Sequence, residues 1–169
     1  ERQLDRPALR RASELLDAAG WEPGADGMRR NAKGEVLKLE FLDDSPGLEK
    51  VVAPLVENLR AVGIDASLNI IDSAQYEVRT RDPQYDFDVT NSFFIFGYFP
   101  GSELKQWLCS KEADVSVRNL AGVKSPAVDR LIEVIMAAKS HDEITTAVHA
   151  MDRVLRAEQF RIPMWHKPE

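Results

Sequence analysis

The chain has 169 residues, a formal net charge of −6 at pH 7, 44% hydrophobic and 30% charged residues. This length suits one ordinary domain with its own core, and the composition is typical of globular proteins rather than of disordered or membrane-embedded ones. The negative charge argues against nucleic acid as a partner, because phosphate-binding surfaces collect Lys and Arg. The basic pairs Arg10-Arg11 and Arg29-Arg30 are interpreted as solvated surface.

The first part of the chain predicts a helix, a small hairpin and a buried strand. Apolar residues recur at helical spacing from Pro7 to Ala19, and Gly20 suits the helix end. Turn signals between Trp21 and Gly34, among them Asp26-Gly27, predict the hairpin. The dense apolar pattern of Val36 to Leu42 predicts a strand that is buried on at least one face.

A second helix and strand complete a βαβ unit. An apolar stripe at helical spacing lies between Ser45-Pro46 and Gly63, and Ile64 to Ile71 predicts the next strand. Strand, helix and strand within about 35 residues favour a parallel pair with a right-handed crossover. The sequence therefore predicts an α/β fold.

The middle of the chain predicts a short helix, a third strand and another short helix. Asp72 and Gln75 stand three residues apart, as a helix cap and its reciprocal partner do, and this helix runs to about Arg81. Phe87 to Ile95 predicts the third strand, and a short helix follows Pro100-Gly101.

The final third predicts two amphipathic helices and a closing strand. One helix begins at Ser125-Pro126, and the other begins at Ser140 with Glu143 as the partner in a capping box. We expect their apolar stripes to pack on the sheet; the alternative is a groove for a protein partner. Phe160 to Trp165 predicts an edge strand, because Pro163 does not suit a central one.

The chain lacks the common signatures of catalysis and of cofactor binding. Neither a G-x-S-x-G elbow nor a glycine-rich phosphate loop occurs, and the single Cys109 excludes an internal disulfide and a cysteine-based zinc site. No metal-binding spacing joins the three histidines: His141, His149 and His166. We interpret Asp43-Asp44 and the pair Asp86 and Asp88 as turn chemistry. A small α/β hydrolase that uses Asp43 or Asp86 with a histidine is the alternative; the prediction is no enzyme, no cofactor and no metal.

One segment concentrates candidate binding residues. Residues 91–99, the aromatic segment, hold five aromatic side chains and two small polar ones at the end of the third predicted strand. Open α/β sheets form their ligand crevices at such strand ends, although a purely structural core role is the alternative. An aromatic wall with a few amide and hydroxyl groups suits a ligand of mixed polarity. The candidate ligand-binding residues are Asn91, Ser92, Phe93, Phe94, Phe96, Tyr98 and Asn119.

Ten short stretches, distributed over nearly the whole chain, carry a resemblance to a known family. They are Leu15–Trp21, Leu37–Phe41, Gly63-Ile64, Asp72–Tyr76, Asp86–Val89, Pro100-Gly101, Asn119–Gly122, Pro126–Asp129, Asp152–Leu155 and Ile162–Trp165. In this order and spacing the chain resembles the carboxyl-terminal lobe of extracellular solute-binding protein family 5, the oligopeptide and dipeptide receptors of ATP-binding-cassette (ABC) importers. The segments Asp72 to Tyr76 and Pro100 to Leu104 look like the subgroup linked to microcin C and murein peptides.

The resemblance implies one lobe of a type II periplasmic-binding-protein-like fold, with a βαβ-containing mixed sheet flanked by helices. Residues 1–169 are then a single domain, a carboxyl-terminal lobe fragment without its signal segment and amino-terminal lobe. The implied partners are a peptide or modified-peptide ligand, the amino-terminal lobe in cis and ABC permease subunits, in a periplasmic or other extracytoplasmic location.

One departure from the family pattern concerns the ligand. Peptide-binding members commonly carry an Asp shortly after the third strand, where it pairs with the amino terminus of the ligand. Here the run from Thr90 to Ser102 contains no acid, and Gly97 lies near the expected place. The hypothesis follows that the ligand is a blocked, modified or longer peptide.

Overall fold

The computed structural model describes residues 5–82, 85–91, 100–116 and 118–162. The chain divides into two compact units, residues 1–93 and 94–169. Each unit has a hydrophobic core cluster of its own. The single lobe that the sequence suggests over residues 1–169 stays a prediction.

The first unit opens with a helix and a hairpin. Helix α1 spans Arg6–Ala18, and the carboxylate of its N-cap residue, Asp5, accepts a hydrogen bond from a backbone N–H in the first turn. Strands β1 (Glu22–Pro23) and β2 (Arg29–Arg30) pair antiparallel. The predicted helix and hairpin are both confirmed.

The sheet of the first unit has three parallel strands. Strand β3 (Lys38–Asp43) pairs with β4 (Asp65–Ile70) on one side and with β5 (Val89–Thr90) on the other, which gives the order β4-β3-β5. Helix α2 (Pro46–Ala61) connects β3 to β4, so the predicted βαβ unit is confirmed. Of the third predicted strand, Val89 and Thr90 are in the sheet, and residues 92–95 lie outside the described residues.

Helix α2 covers the sheet with its apolar stripe. Val52 and Val56 are almost fully buried and pack in one cluster with Phe41, Ile64 and Ala66 of the strand side. The short connection from α2 to β4 passes through Gly63, which adopts a φ of +90°. A Cβ atom there would lie 2.5 Å from the carbonyl oxygen of Gly27, so this close approach requires glycine.

The interpretation of the Arg29-Arg30 pair as solvated surface is wrong for Arg29, which is buried. Its side chain is only 3% exposed, and its guanidinium donates to the carbonyl oxygens of Val62 and Trp21, both at 2.6 Å. It also donates to Asp17 at 2.5 Å and to the hydroxyl of Ser13. Four N–H donors of this guanidinium thus join α1, the hairpin and the end of α2, and burial is tolerated because each of its three nitrogen atoms has a partner.

Helix α3 spans Ser73–Arg81 and begins at the predicted cap. The carboxylate of Asp72 accepts from the backbone N–H groups of Ala74 and Gln75, at 3.1 and 3.0 Å. The cap is therefore confirmed, and Gln75 contributes its backbone to it.

The second unit is helical in its described parts. Helix α4 (Glu103–Leu108) precedes a 3₁₀ turn (Ser110–Glu112), and α5 (Pro126–Ala137) and α6 (His141–Glu158) follow. The Ser140 hydroxyl accepts from the N–H of Glu143, whose carboxylate accepts from the N–H of Lys139, one residue before the predicted partner.

The apolar stripes of α5 and α6 pack within this unit. The cluster that buries them contains residues from α4, α5 and α6, and its most buried members are Leu104, Leu108, Val123, Val128, Ile132, Ile135, Ala147 and Met151. Within the described residues the helices bury these stripes against one another, and the expectation that the stripes pack on the sheet stays a prediction.

Residues 160–162 follow α6 without regular structure, and residues 163–165 of the predicted closing strand lie outside the described residues. Of the helices in the described ranges, none combines the length and apolar character needed to span a bilayer.

Candidate functional site

The candidate site of the first unit lies where β3 and β5 end. Because these neighbouring strands are parallel, their carboxyl ends meet at one edge of the sheet, with Leu42 paired to Thr90. Asp43 is the last residue of β3, and Asn91 directly follows β5. This carboxyl edge, formed by Asp43, Thr90 and Asn91, is the place where open α/β sheets bind ligands.

Asp43 is a buried carboxylate with two hydrogen-bond donors. The residue is 3% exposed. Oδ1 accepts from the backbone N–H of Ser45, and Oδ2 accepts from Nδ2 of Asn91, both at 2.8 Å. The contact with Ser45 confirms the turn role predicted for Asp43, while the contact with Asn91 spans 48 positions and carries no local sequence signal.

Two hydrogen bonds at its hydroxyl group fix Thr90, the residue before Asn91. The hydroxyl of Thr90 donates to the carbonyl oxygen of Leu42 at 2.8 Å, so it is left to accept from the phenol of Tyr76, 2.7 Å away. Burial, together with the nearby charges of Asp43 and Asp44, raises the pKa of Tyr76. The raised pKa keeps the phenol protonated and therefore able to donate.

Arg79 holds the segment that leads into β5. Its guanidinium donates to Asp86 at 2.8 Å and to Glu40 at 3.2 Å, and it lies 5.9 Å from the ring centre of Phe87. Hydrogen bonding to Asp86 raises the pKa of Arg79. Asp88 accepts from the backbone N–H of Glu40 at 2.8 Å. Asp86 and Asp88 thus have positioning roles around β3 and β5.

The structure describes two of the seven predicted ligand-binding residues. Asn91 is partly exposed at the carboxyl edge. The other five predicted residues of the aromatic segment lie outside the described residues: Ser92, Phe93, Phe94, Phe96 and Tyr98.

Asn119 belongs to the second unit and is fully buried. Its Nδ2 donates to the carbonyl oxygens of Cys109 and Val123, each at 3.2 Å, and its Oδ1 accepts from the N–H of Val123 at 2.9 Å. These three hydrogen bonds organise the loop before α5. They favour a structural role over the ligand-facing one predicted for Asn119.

Neither a metal-binding cluster nor a carboxylate–histidine pair at Asp43 or Asp86 is found in the described residues. Within residues 5–82, 85–91, 100–116 and 118–162, no group of three or more His, Cys, Asp or Glu side chains is placed to hold a metal ion. The side-chain partners found for Asp43 and Asp86 are Asn91 and Arg79 rather than a histidine.

Three solved ligand-binding proteins share the fold of this chain. The oligopeptide-binding protein AppA of Bacillus subtilis, solved with a nonapeptide, superposes with a TM-score of 0.77 at 17% identity and covers 89% of this chain and 30% of its own. A periplasmic oligopeptide-binding protein of Thermotoga maritima with bound mannohexaose gives 0.76 at 18% identity, over 94% of this chain and 31% of its own. The murein tripeptide-binding protein MppA of Escherichia coli gives 0.67 at 18% identity, over 94% of this chain and 28% of its own. The predicted α/β class and the periplasmic-binding-protein-like fold are therefore confirmed.

Sequence comparison then assigns the family. The model for bacterial extracellular solute-binding proteins, family 5, middle region, matches residues 2–114, and the chain belongs to this family. It is 40% identical over 165 residues to the probable peptide-binding protein YejA of Agrobacterium fabrum, covering 97% of this chain and 26% of that protein. It is 30% identical over 164 residues to the peptidoglycan-binding protein YepA of the same organism, covering 96% of this chain and 26% of that protein.

The chain thus spans about a quarter of the length of these curated relatives. Membership of an extracellular solute-binding family confirms the predicted extracytoplasmic location.

Proposed function

We propose that this chain is part of the ligand-binding lobe of a receptor that captures peptide-like solutes and delivers them to the permease of an ABC importer. The family match over residues 2–114 carries this proposal. Because the chain spans 26% of the probable peptide-binding protein YejA, the amino-terminal lobe and the surface that docks on the permease are expected elsewhere in the full-length receptor.

The role is binding rather than catalysis. The matched family consists of solute-binding proteins. The two carboxylates considered for hydrolysis, Asp43 and Asp86, are engaged with Asn91 and Arg79. A carboxylate held in this way suits the positioning of a neighbour better than proton transfer to a substrate.

The ligand surface combines the carboxyl edge with the aromatic segment. Asn91 is fixed by Asp43 at the end of β5, and residues 92–99 follow it directly. Aromatic faces pack against side chains and peptide planes, while amide and hydroxyl groups bind the peptide backbone. Such a surface suits a peptide whose length and side chains vary.

The sequence, and not the fold, indicates which class of peptide the receptor binds. Proteins with this fold bind ligands as different as a nonapeptide and mannohexaose. The name of YepA, a peptidoglycan-binding protein that is 30% identical to this chain, supports a ligand of the murein-peptide type. The absence of an acid from Thr90 to Ser102 supports blocked, modified or longer peptides over plain dipeptides.

Calorimetry on the full-length receptor tests this proposal. Murein tripeptide, trialanine and N-acetyl-trialanine are titrated beside dialanine and a hexasaccharide, and we expect a peptide to bind more tightly than the sugar. Replacing Phe94 by Ala is expected to weaken peptide binding by about tenfold or more, as the loss of an aromatic anchor does. Val78→Ala is the control, because Val78 lies on α3 and is 71% exposed.

Two results would contradict the proposal in different ways. Tight binding of the hexasaccharide without any peptide binding would reject a peptide receptor. Tight binding of dialanine that is lost on N-acetylation would reject the preference for blocked or longer peptides alone.

A further inference from the structure

We propose that Asp43 is a positioning residue for the ligand site. Its carboxylate fixes the side-chain amide of Asn91 so that Nδ2 faces Asp43 and Oδ1 accepts a hydrogen bond from a peptide N–H of the ligand. This inference rests on the proposed function, because it concerns the same surface.

The chemistry of the pair dictates the orientation of the amide. An ionised carboxylate is an acceptor only, whereas an Asn side chain carries a donor end and an acceptor end. Nδ2 of Asn91 lies 2.8 Å from Oδ2 of Asp43. The reversed amide would place two acceptors against each other. Asp43 therefore selects one of the two orientations.

Asp43 is itself held in place. The backbone N–H of Ser45 donates to its other oxygen at 2.8 Å, and the residue is 3% exposed. Each of its two oxygens therefore has a described N–H donor. A buried charge with rigid partners is a more effective orienting group than one that rotates in solvent.

The backbone of Asn91 is fixed as well. Thr90, directly before it, is tied to Leu42 by its hydroxyl and receives the phenol of Tyr76. Within residues 5–82 and 85–91, the hydrogen bonds of the Asn91 side chain involve Nδ2 alone. Oδ1 is thus a preorganised acceptor at the partly exposed start of the aromatic segment, and preorganisation lowers the entropy cost of binding.

Peptide N–H groups are the matching class of donor. A peptide ligand presents these groups along its backbone whatever its side chains are, so an acceptor such as Oδ1 of Asn91 would recognise peptides without selecting a sequence. The carboxyl edge would then bind the backbone of the ligand.

The test uses murein tripeptide and trialanine, with analogues in which one peptide N–H at a time is replaced by an ester oxygen. Their affinities for the full-length receptor are measured by calorimetry. For a peptide that binds, we expect one of its ester analogues to bind about 5- to 10-fold more weakly than the unmodified peptide, because this is the usual effect of losing one neutral hydrogen bond. Asn91→Ala should abolish this difference between parent and analogue. Asp43→Asn should reduce it, because the Asn91 amide can then reverse.

The reciprocal exchange is the rescue experiment. The double variant Asp43→Asn, Asn91→Asp keeps a hydrogen bond between the two positions with donor and acceptor exchanged, and position 91 still offers an acceptor. It should recover the discrimination against the ester analogue that Asp43→Asn loses. A purely structural role for Asp43 would change the melting temperature of the receptor without changing this discrimination.

The outcomes separate the inference from the proposed function. Equal discrimination in the unaltered receptor and in Asn91→Ala would overturn the inference, and this comparison holds even if the Asp43 variants fail to fold. Binding of a probe with no discrimination among its analogues would also overturn it, while the proposed function would stand. Binding of neither probe to the unaltered receptor would overturn the proposed function and the inference together.

Discussion

Replacing Arg29 by Met is expected to destabilise the first unit by about 2–5 kcal/mol. Met fills much of the same volume, so the loss comes mainly from unsatisfied groups rather than from a cavity. The carbonyl oxygens of Val62 and Trp21 lose donors at 2.6 Å, and each buried acceptor without a partner costs about 1–3 kcal/mol. Asp17 contributes little, because its side chain is 54% exposed and regains water.

Urea denaturation followed by tryptophan fluorescence measures this loss. Trp21 is the only tryptophan of the first unit, so a background with Trp107→Phe and Trp165→Phe reports on that unit. Arg10→Met is the matched control; its side chain is 86% exposed, and a change within about 0.5 kcal/mol is expected. A loss below about 1 kcal/mol for Arg29→Met, or one equal to the control, would refute the stabilising role of the buried guanidinium.

Two further predictions concern the hairpin and its surroundings. Gly63→Ala should destabilise the first unit by about 1–3 kcal/mol more than Gly20→Ala. Both residues have a positive φ, but of the two only Gly63 has another atom within 4 Å of the position that a Cβ would take. Equal losses of stability in urea denaturation would contradict this prediction. The pKa of Asp26 is lowered from 3.8 to about 2, first by its hydrogen bond with Arg30, so this contact favours the folded state above about pH 3.8 and the contribution is lost as the pH falls through 2. An NMR titration of Arg30→Met should show the pKa of Asp26 raised toward 3.8, with the hydrogen bond from the N–H of Met28 still lowering it, and an unchanged pKa would disprove the pairing.

Much of the fold follows from local sequence patterns. The βαβ unit around α2 was predictable because helical and strand periodicities alternate there, and the caps at Asp72 and Ser140 were predictable because a cap and its helix are adjacent in sequence. These features depend on residues a few positions apart. They need no knowledge of tertiary contacts.

Arg29 and the packing of α5 and α6 show where local patterns fail. Arg29 was interpreted as surface because its partners belong to α1 and to the end of α2, which lies 33 positions away. An amphipathic stripe likewise indicates that a face is buried but not which element buries it. Among the described residues, those that cover α5 and α6 belong to the same unit.

The candidate site was predictable in position but not in its internal contacts. Strand ends in an α/β sheet converge on one edge, and this placed Asn91 correctly. The partnership of Asn91 with Asp43 required the strand order, because it joins β3 to the end of β5 across 48 positions. Asn119 lies in one of the stretches that carry the family resemblance, and the sequence did not indicate its three hydrogen bonds to backbone atoms.

The central claim, that this chain helps to bind peptide-like solutes, is tested most directly by identifying what the receptor carries. The full-length protein is purified under native conditions and denatured, and the released small molecules are identified by mass spectrometry. The account predicts peptides or peptide-bearing murein fragments, in blocked, modified or longer forms rather than plain dipeptides. Release of sugars or metal chelates without any peptide would contradict it.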